Sequence, residues 1–355
     1  MHAGTTPFRV VYLDHCALLS GAEIALVRLL DALGEAVEPY VILGEDGPLV
    51  QRLERAGARV EVVNMPASVA TVTRTEVGAR LDPRAVVRAA IYSARLVPLL
   101  RRIKPDLVHT NSLKAAFYGV PAARVARLPV LWHLRDQISP DYMSGAAVRI
   151  VRTGTRFLPT AVVATSKATL DTVPRARRGR FFTDGLPPAV SPPLPYDGPL
   201  RFIMLGRLAH WKGQDLFLDA FADAFPDGGA VARIVGEAMF SDAAYGQELR
   251  SQAARLGISD RVEFCGFRED IWSELAASDV LVHCSRTPEP FGQVVVEGLA
   301  AGLAVIAADA GGPVEILTDG RVGLLVPPGN VAALSAAMQR LADPGFRERL
   351  SEAGR

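Results

Sequence analysis

Short runs of apolar, often β-branched residues alternate along the chain with longer segments rich in alanine, leucine and arginine. These runs have no polar face, which is typical of strands covered on both sides, as in a parallel sheet between two layers of helices. The pattern predicts strands at residues 8–13, 40–43, 59–63, 106–110, 130–133 and 161–165, and again at 201–205, 232–235, 261–265, 280–284, 304–307 and 323–326.

The segments between the strands have the spacing of amphipathic helices. Residues 215–225 repeat apolar positions every three or four residues before Pro226, and residues 83–103 form a broad, arginine-rich helical segment. A proline-rich stretch near the middle of the chain has neither period and predicts an extended connector. The sequence therefore predicts two doubly wound α/β domains, with ligands at the carboxyl ends of the strands and in a cleft between the domains.

Composition narrows the range of functions. The 355 residues carry a formal net charge of only +1, which excludes a strongly polybasic nucleic-acid binder, so no nucleic-acid partner is expected. Three cysteines without C-x-x-C spacing argue against a disulfide scaffold and favour a reducing cytoplasm. No leader peptide and no apolar run of about 18 residues is readable, so we expect no membrane span.

The most specific motif runs from Glu289 to Glu297 and reads E-P-F-G-Q-V-V-V-E. It follows a predicted strand and opens a helix near Gly292, whose first N–H groups lack partners and carry partial positive charge. A turn containing Pro290 and Gly292 lets backbone approach a ligand closely. The two carboxylates can hold hydroxyl groups at two ends of one polyol, although a capping acid and a solvated helical glutamate would explain each one singly.

Two further motifs stand at strand ends. L-G-R-L and then W-K-G follow the strand predicted at 201–205, where Arg207 and Lys212 can hold a diphosphate, one through its planar fork and the other as a point charge. Two ordinary surface cations would give the same pattern. A weaker motif, S-G-A-E at residues 20–23, again lies between a strand and a helix.

Together these motifs resemble the retaining glycosyltransferases of the GT-B fold, family 4 in particular, also called glycosyl transferases group 1. The resemblance covers nearly the whole chain and is most specific in its second half, where residues 307–316 and 323–329 also match. It implies an N-terminal, acceptor-binding Rossmann-like domain at residues 1–185, a linker at 186–199 and a C-terminal, nucleotide-sugar-binding Rossmann-like domain at 200–355.

The resemblance assigns roles to individual residues. Arg207 and Lys212 correspond to the cations that neutralise the nucleotide diphosphate, and Glu289 to the acid that faces the donor sugar. Glu297 corresponds to the acid that takes the ribose hydroxyls. The other donor-binding positions are Gly21, Gly206, Phe267, Arg268, Phe291 and Gly292.

One departure concerns a His-x-His pair that family members often have after the strand predicted at 106–110. Here His109 is kept, but Asn111 stands second, and an amide cannot shuttle a proton at neutral pH. Both remain candidates for the catalytic centre. His15, His133 and Arg135 also follow strands and are candidates for acceptor contact, with a structural imidazole as the alternative for each histidine.

The implied reaction transfers a hexosyl group from a nucleoside-diphosphate sugar to a hydroxyl acceptor with retention of anomeric configuration, as in polysaccharide or glycoconjugate biosynthesis. Fixed cations and helix N–H groups stabilise the charge that develops on the leaving diphosphate. No D-x-D metal motif is readable, so we expect neither a metal nor a cofactor beyond the nucleotide sugar. The acceptor is a sugar, a lipid-linked molecule or a natural-product core.

Two alternative classes of protein have a similar fold. A nucleotide-sugar epimerase or hydrolase, or a catalytically silent nucleotide-sugar binder, keeps the same fold. A dinucleotide-dependent oxidoreductase would need G-x-G-x-x-G at an early strand–helix turn, which neither residues 19–23 nor residues 44–47 provide.

Two segments of the chain are rich in basic residues and could contact a membrane surface. They contain Arg80, Arg84, Arg88, Arg95, Arg101, Arg102 and Lys104, and then Arg149, Arg152 and Arg156. Basic amphipathic helices can lie on an anionic membrane, which would allow peripheral contact at its inner face, but a solvated helical surface is the favoured interpretation. Family members usually continue past Arg355 with a helix that crosses back to the first domain, so closure of the cleft is expected to differ here.

Overall fold

The computed structural model describes residues 7–66, 83–186, 196–238, 244–318 and 320–355. The chain divides into two compact units, Met1–Gly185 and Leu186–Arg355. Most of the predicted linker, residues 187–195, lies outside the described residues, as does Arg80 of the first basic segment.

The N-terminal unit alternates strands and helices. Its strands are β1 (Phe8–Asp14), β2 (Val37–Leu43), β3 (Arg59–Val62), β4 (Leu107–Thr110), β5 (Val130–Leu134), β6 (Ala161–Ala164) and β7 (Arg180–Phe181). Its helices are α1 (Gly21–Leu33), α2 (Pro48–Arg55), α3 (Pro83–Ile103), α4 (Leu113–Val125), α5 (Gly145–Phe157) and α6 (Lys167–Asp171). All strands pair in parallel in the order β3-β2-β1-β4-β5-β6-β7.

Successive residues of β1 pack into two different hydrophobic cores, because alternate side chains of a strand point to opposite faces of the sheet. Val11 and Leu13 join the cluster formed with α3, α4 and α5, whereas Val10 and Tyr12 join the cluster formed with α1 and α2. The helices therefore form two layers, one on each face of the sheet.

The C-terminal unit repeats this plan. Its strands are β8 (Leu200–Leu205), β9 (Ala230–Val235), β10 (Val262–Gly266), β11 (Val280–His283), β12 (Ala304–Ala308) and β13 (Leu324–Val326). Its helices are α7 (Gln214–Ala224), α8 (Tyr245–Arg255), α9 (Ile271–Ala276), α10 (Gln293–Ala300), α11 (Gly312–Ile316), α12 (Val331–Arg340) and α13 (Pro344–Gly354). The parallel sheet has the order β10-β9-β8-β11-β12-β13.

The predicted fold class is confirmed, and every predicted strand is present with ends within three residues of those expected. The differences have a physical cause. Residues 37–39 extend β2 because their backbone pairs with β1 from Phe8 onward, although their side chains are only half-buried. The two-residue strand β7 was not predicted, because a pattern based on buried side chains misses a strand whose two residues are exposed.

The strand order reverses beside the first strand of each unit. β1 lies between β2 and β4, and β8 lies between β9 and β11. At such a switch point the following loops run in opposite directions and leave a crevice at the carboxyl ends of the two strands. The sheet therefore predicts one ligand-binding edge beyond β1 and β4, and another beyond β8 and β11.

Candidate active site

In the C-terminal unit, polar residues collect beyond β8 and β11. Gly206 and Arg207 follow β8, and a short 3₁₀ turn, His210–Lys212, comes next. Ser285 and Glu289 follow β11. The N–H of Arg286, which follows β11, donates to the carbonyl of Trp211 at 2.8 Å, so the two loops that follow β8 and β11 meet at one place. A β-carbon added to Gly206 would lie 3.8 Å from Cε of Lys212.

The carboxylate of Glu289 is the centre of this edge and is buried. Its Oε1 contacts Nζ of Lys212 and accepts a 2.5 Å hydrogen bond from Oγ of Ser285. Nε2 of His283 lies 3.0 Å from the same oxygen. Because Nδ1 of His283 accepts the backbone N–H of Ala308 at 3.4 Å, the proton of a neutral ring belongs on Nε2, facing Glu289.

These neighbours determine the ionisation of Glu289. Burial alone would raise its pKa, but the Lys212 ammonium and His283 outweigh burial and hold the pKa well below its usual value. The side chain is therefore an oriented carboxylate at neutral pH.

The loop between Glu289 and α10 is fixed by close backbone contacts. The N–H of Gly312 donates to the carbonyl of Glu289 at 2.9 Å, and a β-carbon at Gly312 would lie 2.0 Å from the carbonyl oxygen of Phe291. Gly292 precedes α10 with φ of +100°, a conformation that favours glycine. Phe291 itself is buried. The N-terminus of α10 is thus held next to Glu289, where its N–H groups can face an anion.

The two predicted diphosphate-binding cations share one aromatic ring. The Arg207 guanidinium lies 6.0 Å, and Lys212 Nζ lies 4.5 Å, from the centre of the Trp211 ring. Both cations therefore lie beside Trp211, and Lys212 also contacts Glu289. The structure brings together the predicted residues Arg207, Lys212, Gly206, Glu289, Phe291 and Gly292.

The remaining predicted donor residues have different surroundings. Glu297 is buried inside α10 and accepts a 3.4 Å hydrogen bond from Gln293. Phe267 is exposed, with 46% of its surface accessible, which suits stacking on a planar base. Arg268 donates to Glu274 at 3.0 Å, so its guanidinium already has a carboxylate partner.

In the N-terminal unit, Asp14 and His15 lie at the end of β1. Nδ1 of His15 is 3.1 Å from Oδ1 of Asp14 and 2.9 Å from Oγ of Ser112. Burial would raise the pKa of Asp14, but hydrogen bonds from His15 and Asn111 keep it below its usual value. An ionised Asp14 places the proton of a neutral His15 on Nδ1 and leaves Nε2 as an acceptor.

The side-chain amide of Asn111 is hydrogen-bonded to three residues of the N-terminal unit. Its Nδ2 donates to Oδ2 of Asp14 at 2.6 Å and to the carbonyl of Ala22 at 3.2 Å, and its Oδ1 accepts from Nε of Arg135 at 3.0 Å. The side chain is fully buried. Arg135 in turn pairs with Asp184 at 2.8 Å and is itself almost buried. Asn111 and Arg135 therefore form part of a closed polar chain from Asp14 to Asp184.

His109 and His133 form a buried pair below this chain. Nε2 of His109 lies 3.0 Å from Nδ1 of His133, and the His109 ring packs against Tyr12 with 5.0 Å between centroids. Burial and the nearby Arg135 charge lower the pKa of His109 to about 3 and lower that of His133 well below its usual value. Both imidazoles are neutral at pH 7.

Gly21 opens α1 beside a second buried carboxylate, Glu23. Glu23 contacts the Ser20 hydroxyl and the Cys16 thiol. Burial and the neighbouring Asp14 carboxylate raise the pKa of Glu23. The potential metal-ligating atoms of Asp14, His15, Cys16 and Glu23 all lie within 4.8 Å of one another.

Several residues of these clusters belong to no sequence motif. They are Ser285, Asp14 and Asp184, and His283, which lies inside an otherwise apolar predicted strand. Their position just at or beyond strand ends is the signal that could have identified them.

Two family models match the chain in sequence. Glycosyltransferase Family 4 matches residues 19–181, and Glycosyl transferases group 1 matches residues 191–355. HepE of Anabaena, solved with UDP and glucose, is 28% identical and superimposes with a TM-score of 0.84 over 98% of this chain and 93% of HepE. The chain belongs to the GT-B glycosyltransferases of the family 4 type.

The proteins to which this chain is similar are named for different glycosyl transfers. A 2-deoxystreptamine N-acetyl-D-glucosaminyltransferase of Streptomyces fradiae is 29% identical over 90% of this chain and 82% of its own length. The lipopolysaccharide core biosynthesis glycosyltransferase LpsE of Rhizobium meliloti is 34% identical over 45% of this chain. The match covers only 44% of LpsE, so less than half of that relative corresponds to this chain.

The buried histidine pair predicts acid sensitivity. A histidine whose pKa is lowered by folding contributes stability that is complete above the usual pKa of about 6.5 and is lost as the pH falls towards the folded value. We expect the free energy of unfolding to fall with decreasing pH, by up to about 1.4 kcal/mol per pH unit for each such ring. His133→Gln should reduce that slope by one ring's share, as measured by urea unfolding at a series of pH values. The same slope in both proteins would contradict the assignment.

Proposed function

We propose that this protein transfers a hexosyl group from a uridine diphosphate sugar to a hydroxyl acceptor, with retention of configuration and without a metal ion. The observation that supports this most directly is the contact of Lys212 with the ionised Glu289 next to the N-terminus of α10, with Arg207 beside the same Trp211 ring as Lys212. This arrangement combines anion-binding groups with a carboxylate suited to sugar hydroxyls within one unit.

Each part of the proposed donor site has a chemical task. Arg207 and Lys212 balance the charge of the diphosphate, while the N–H groups at Phe291 and Gly292 face its distal phosphate. Glu289 accepts hydrogen bonds from the sugar, and Glu297 from the ribose. Phe267 stacks on the base. Lys212 also pairs with Glu289, so this single ammonium orients the carboxylate and attracts the phosphate.

Solved and named relatives support the choice of donor and leave the acceptor broad. HepE, 28% identical, has been crystallised with UDP-glucose. The names of the relatives include a transferase acting on 2-deoxystreptamine and transferases of lipopolysaccharide core biosynthesis. We therefore propose a UDP-hexose donor and a polyhydroxylated acceptor, either soluble or lipid-linked.

The proposed transfer requires no nucleophilic side chain, because the acceptor oxygen itself attacks the anomeric carbon. The bond between the anomeric carbon and the diphosphate oxygen breaks, and its electron pair leaves with the diphosphate. The acceptor oxygen bonds to the anomeric carbon on the same face, and the hydroxyl proton passes to a diphosphate oxygen. Cations and helix N–H groups aimed at that oxygen lower the barrier because the charge appears there in the transition state.

In the N-terminal unit, His15 is better suited than Asn111 to touch the acceptor. The amide of Asn111 is used by Asp14, Ala22 and Arg135 and is fully buried. His15 keeps 27% of its side chain exposed, and its Nδ1 is held by Asp14 and Ser112. We propose that Nε2 of His15 accepts a hydrogen bond from a hydroxyl of the acceptor, while Asn111 keeps Asp14 in place.

The proposed transfer is tested with a panel of UDP-, GDP- and ADP-sugars, each with and without candidate acceptors. We expect a UDP-hexose to raise the melting temperature and to release UDP quickly only when an acceptor is present. Treatment with EDTA should leave the rate unchanged.

Other outcomes of that panel identify the alternatives. Formation of a sugar inverted at C2 would identify an epimerase. Release of UDP without an acceptor would identify a hydrolase, and binding without turnover would identify a catalytically silent binder. A rate lost in EDTA and restored by a metal ion would contradict metal independence and direct attention to the cluster of Asp14, His15, Cys16 and Glu23.

Substitutions in the donor site test the proposed diphosphate contact and the proposed ribose contact separately. Lys212→Ala should lower turnover about a hundredfold to a thousandfold, because it removes charge stabilisation at the diphosphate. Glu297→Ala should instead raise the KM for the donor about tenfold to a hundredfold, because charged hydrogen bonds to the ribose are lost. Arg255→Ala, an exposed cation of α8, is the matched control and should behave as wild type. A near-normal rate for Lys212→Ala would refute its role.

His15→Gln tests the acceptor contact. Loss of one hydrogen bond should raise the KM for the acceptor up to about tenfold and leave donor affinity unchanged. His210→Gln is a suitable control, since His210 is exposed and stacks on Tyr245. If acceptor KM is the same for both variants, His15 does not contact the acceptor.

A further inference from the structure

One surface of the N-terminal unit, which we term the basic apolar face, consists of the exposed side of α5 together with residues 174–182. The two parts are continuous. The N–H of Arg177 donates to the carbonyl of Thr155 in α5 at 3.0 Å, and Nε of Arg152 donates to the carbonyl of Thr172 at 2.8 Å.

This face is strongly cationic in a nearly neutral chain. Residues 144–183 contain one acidic residue, Asp171, which pairs with Lys167 at 2.6 Å. The cationic residues of this stretch are Arg149, Arg152, Arg156, Lys167, Arg175, Arg177, Arg178 and Arg180. Within the described parts of the chain, Arg149, Arg156, Arg175 and Arg178 have no ion-pair partner, so their charge is available to an external ligand.

The same face exposes large apolar side chains. They are Ile150, Phe157, Leu158, Phe181 and Phe182, five of the thirteen exposed large apolar or tyrosine side chains among the described residues. Phe182 has 64% of its surface accessible, and the Arg156 guanidinium lies 4.8 Å from the Phe157 ring. Leaving this much apolar surface in water beside cations is unfavourable unless something covers it.

Helices α3 and α5 lie on the same side of the sheet. Trp132 of β5 packs against Phe117 of α4 with 6.2 Å between centroids, and a β-carbon on Gly154 of α5 would lie 3.2 Å from the same indole. Helix α3 contributes Tyr92 to this core and exposes Val86, Val87 and Ile91 on its outer side. The apolar surface on this side of the unit therefore extends beyond α5.

We propose that the basic apolar face binds the surface of an anionic phospholipid bilayer. Arginines beside exposed phenylalanine and leucine match a headgroup layer that offers phosphates above and hydrocarbon below. A nucleic-acid duplex would pair with the arginines but would leave Phe157, Leu158 and Phe182 in water. Helix α5 runs from the carboxyl end of β5, which carries His133 and Arg135, back to the amino end of β6, so Phe157 and Leu158 lie at the end of the helix away from the edge proposed for the acceptor. The proposed binding to a bilayer therefore does not depend on the proposed function.

The full chain is tested by co-sedimentation with vesicles of phosphatidylcholine alone and of equal parts phosphatidylcholine and phosphatidylglycerol. We expect binding to the anionic vesicles only, weakened by salt. The triple variant Arg149→Gln, Arg156→Gln, Arg175→Gln should partition about a hundredfold more weakly, since each cation near the surface contributes about a factor of five. Phe157→Ser with Leu158→Ser should reduce the binding that remains in high salt.

The matched control neutralises three exposed arginines of the other unit, Arg250→Gln, Arg255→Gln and Arg340→Gln, and should bind vesicles as wild type does. Thermal unfolding checks that all variants fold. The proposal would be overturned if both triple variants lost vesicle binding equally, or if the wild type bound neutral and anionic vesicles equally. It would also be overturned if the protein bound duplex DNA as well as anionic vesicles and the Phe157 and Leu158 substitutions left that DNA binding unchanged. Transfer to a soluble acceptor, measured in parallel, reports on the proposed function separately, because the triple variant should keep that rate.

Discussion

A parallel strand covered by helices on both faces has no place for a charged side chain along its buried part. This constraint governs both units. The buried parts of β1 and β8, Val10–Leu13 and Phe202–Leu205, are apolar, and the polar groups of each unit then appear together at the carboxyl edge, next to the reversal in strand order. The two ligand-binding edges are therefore a consequence of how the sheets are buried.

Each edge contains buried carboxylates whose ionisation is determined by their neighbours. Glu289 keeps its charge because the Lys212 ammonium contacts its Oε1 and His283 lies 3.0 Å from the same oxygen, which also accepts a hydrogen bond from Ser285. Asp14 keeps its charge through His15 and Asn111. Glu23 contacts a hydroxyl and a thiol, and burial together with the neighbouring Asp14 carboxylate raises the pKa of Glu23. Preorganised donors of this kind require no rearrangement when a charged ligand arrives, which is the condition for effective electrostatic stabilisation.

Asn111 stands where the sequence resemblance predicts a histidine, and its side chain is fully hydrogen-bonded within the N-terminal unit. The amide links Asp14 to Arg135, and Arg135 continues the chain to Asp184, so four side chains from separate segments close one network. A histidine could not donate from one nitrogen to Asp14 and Ala22 while accepting from Arg135 in the same geometry. The network holds His15 through Asp14, which leaves His15 as the exposed imidazole of this edge.

The sequence alone determined the two α/β units, the strand positions and the grouping of Glu289, Gly292, Arg207 and Lys212, because these depend on local periodicity and on motifs of fixed spacing. Only the tertiary structure decided which side chains meet across strands: His283 with Glu289, His109 with His133, and Asn111 with both Asp14 and Arg135. Such pairs are up to 97 positions apart in the chain. Their contacts follow from strand order and register, which the pattern of a single strand does not contain.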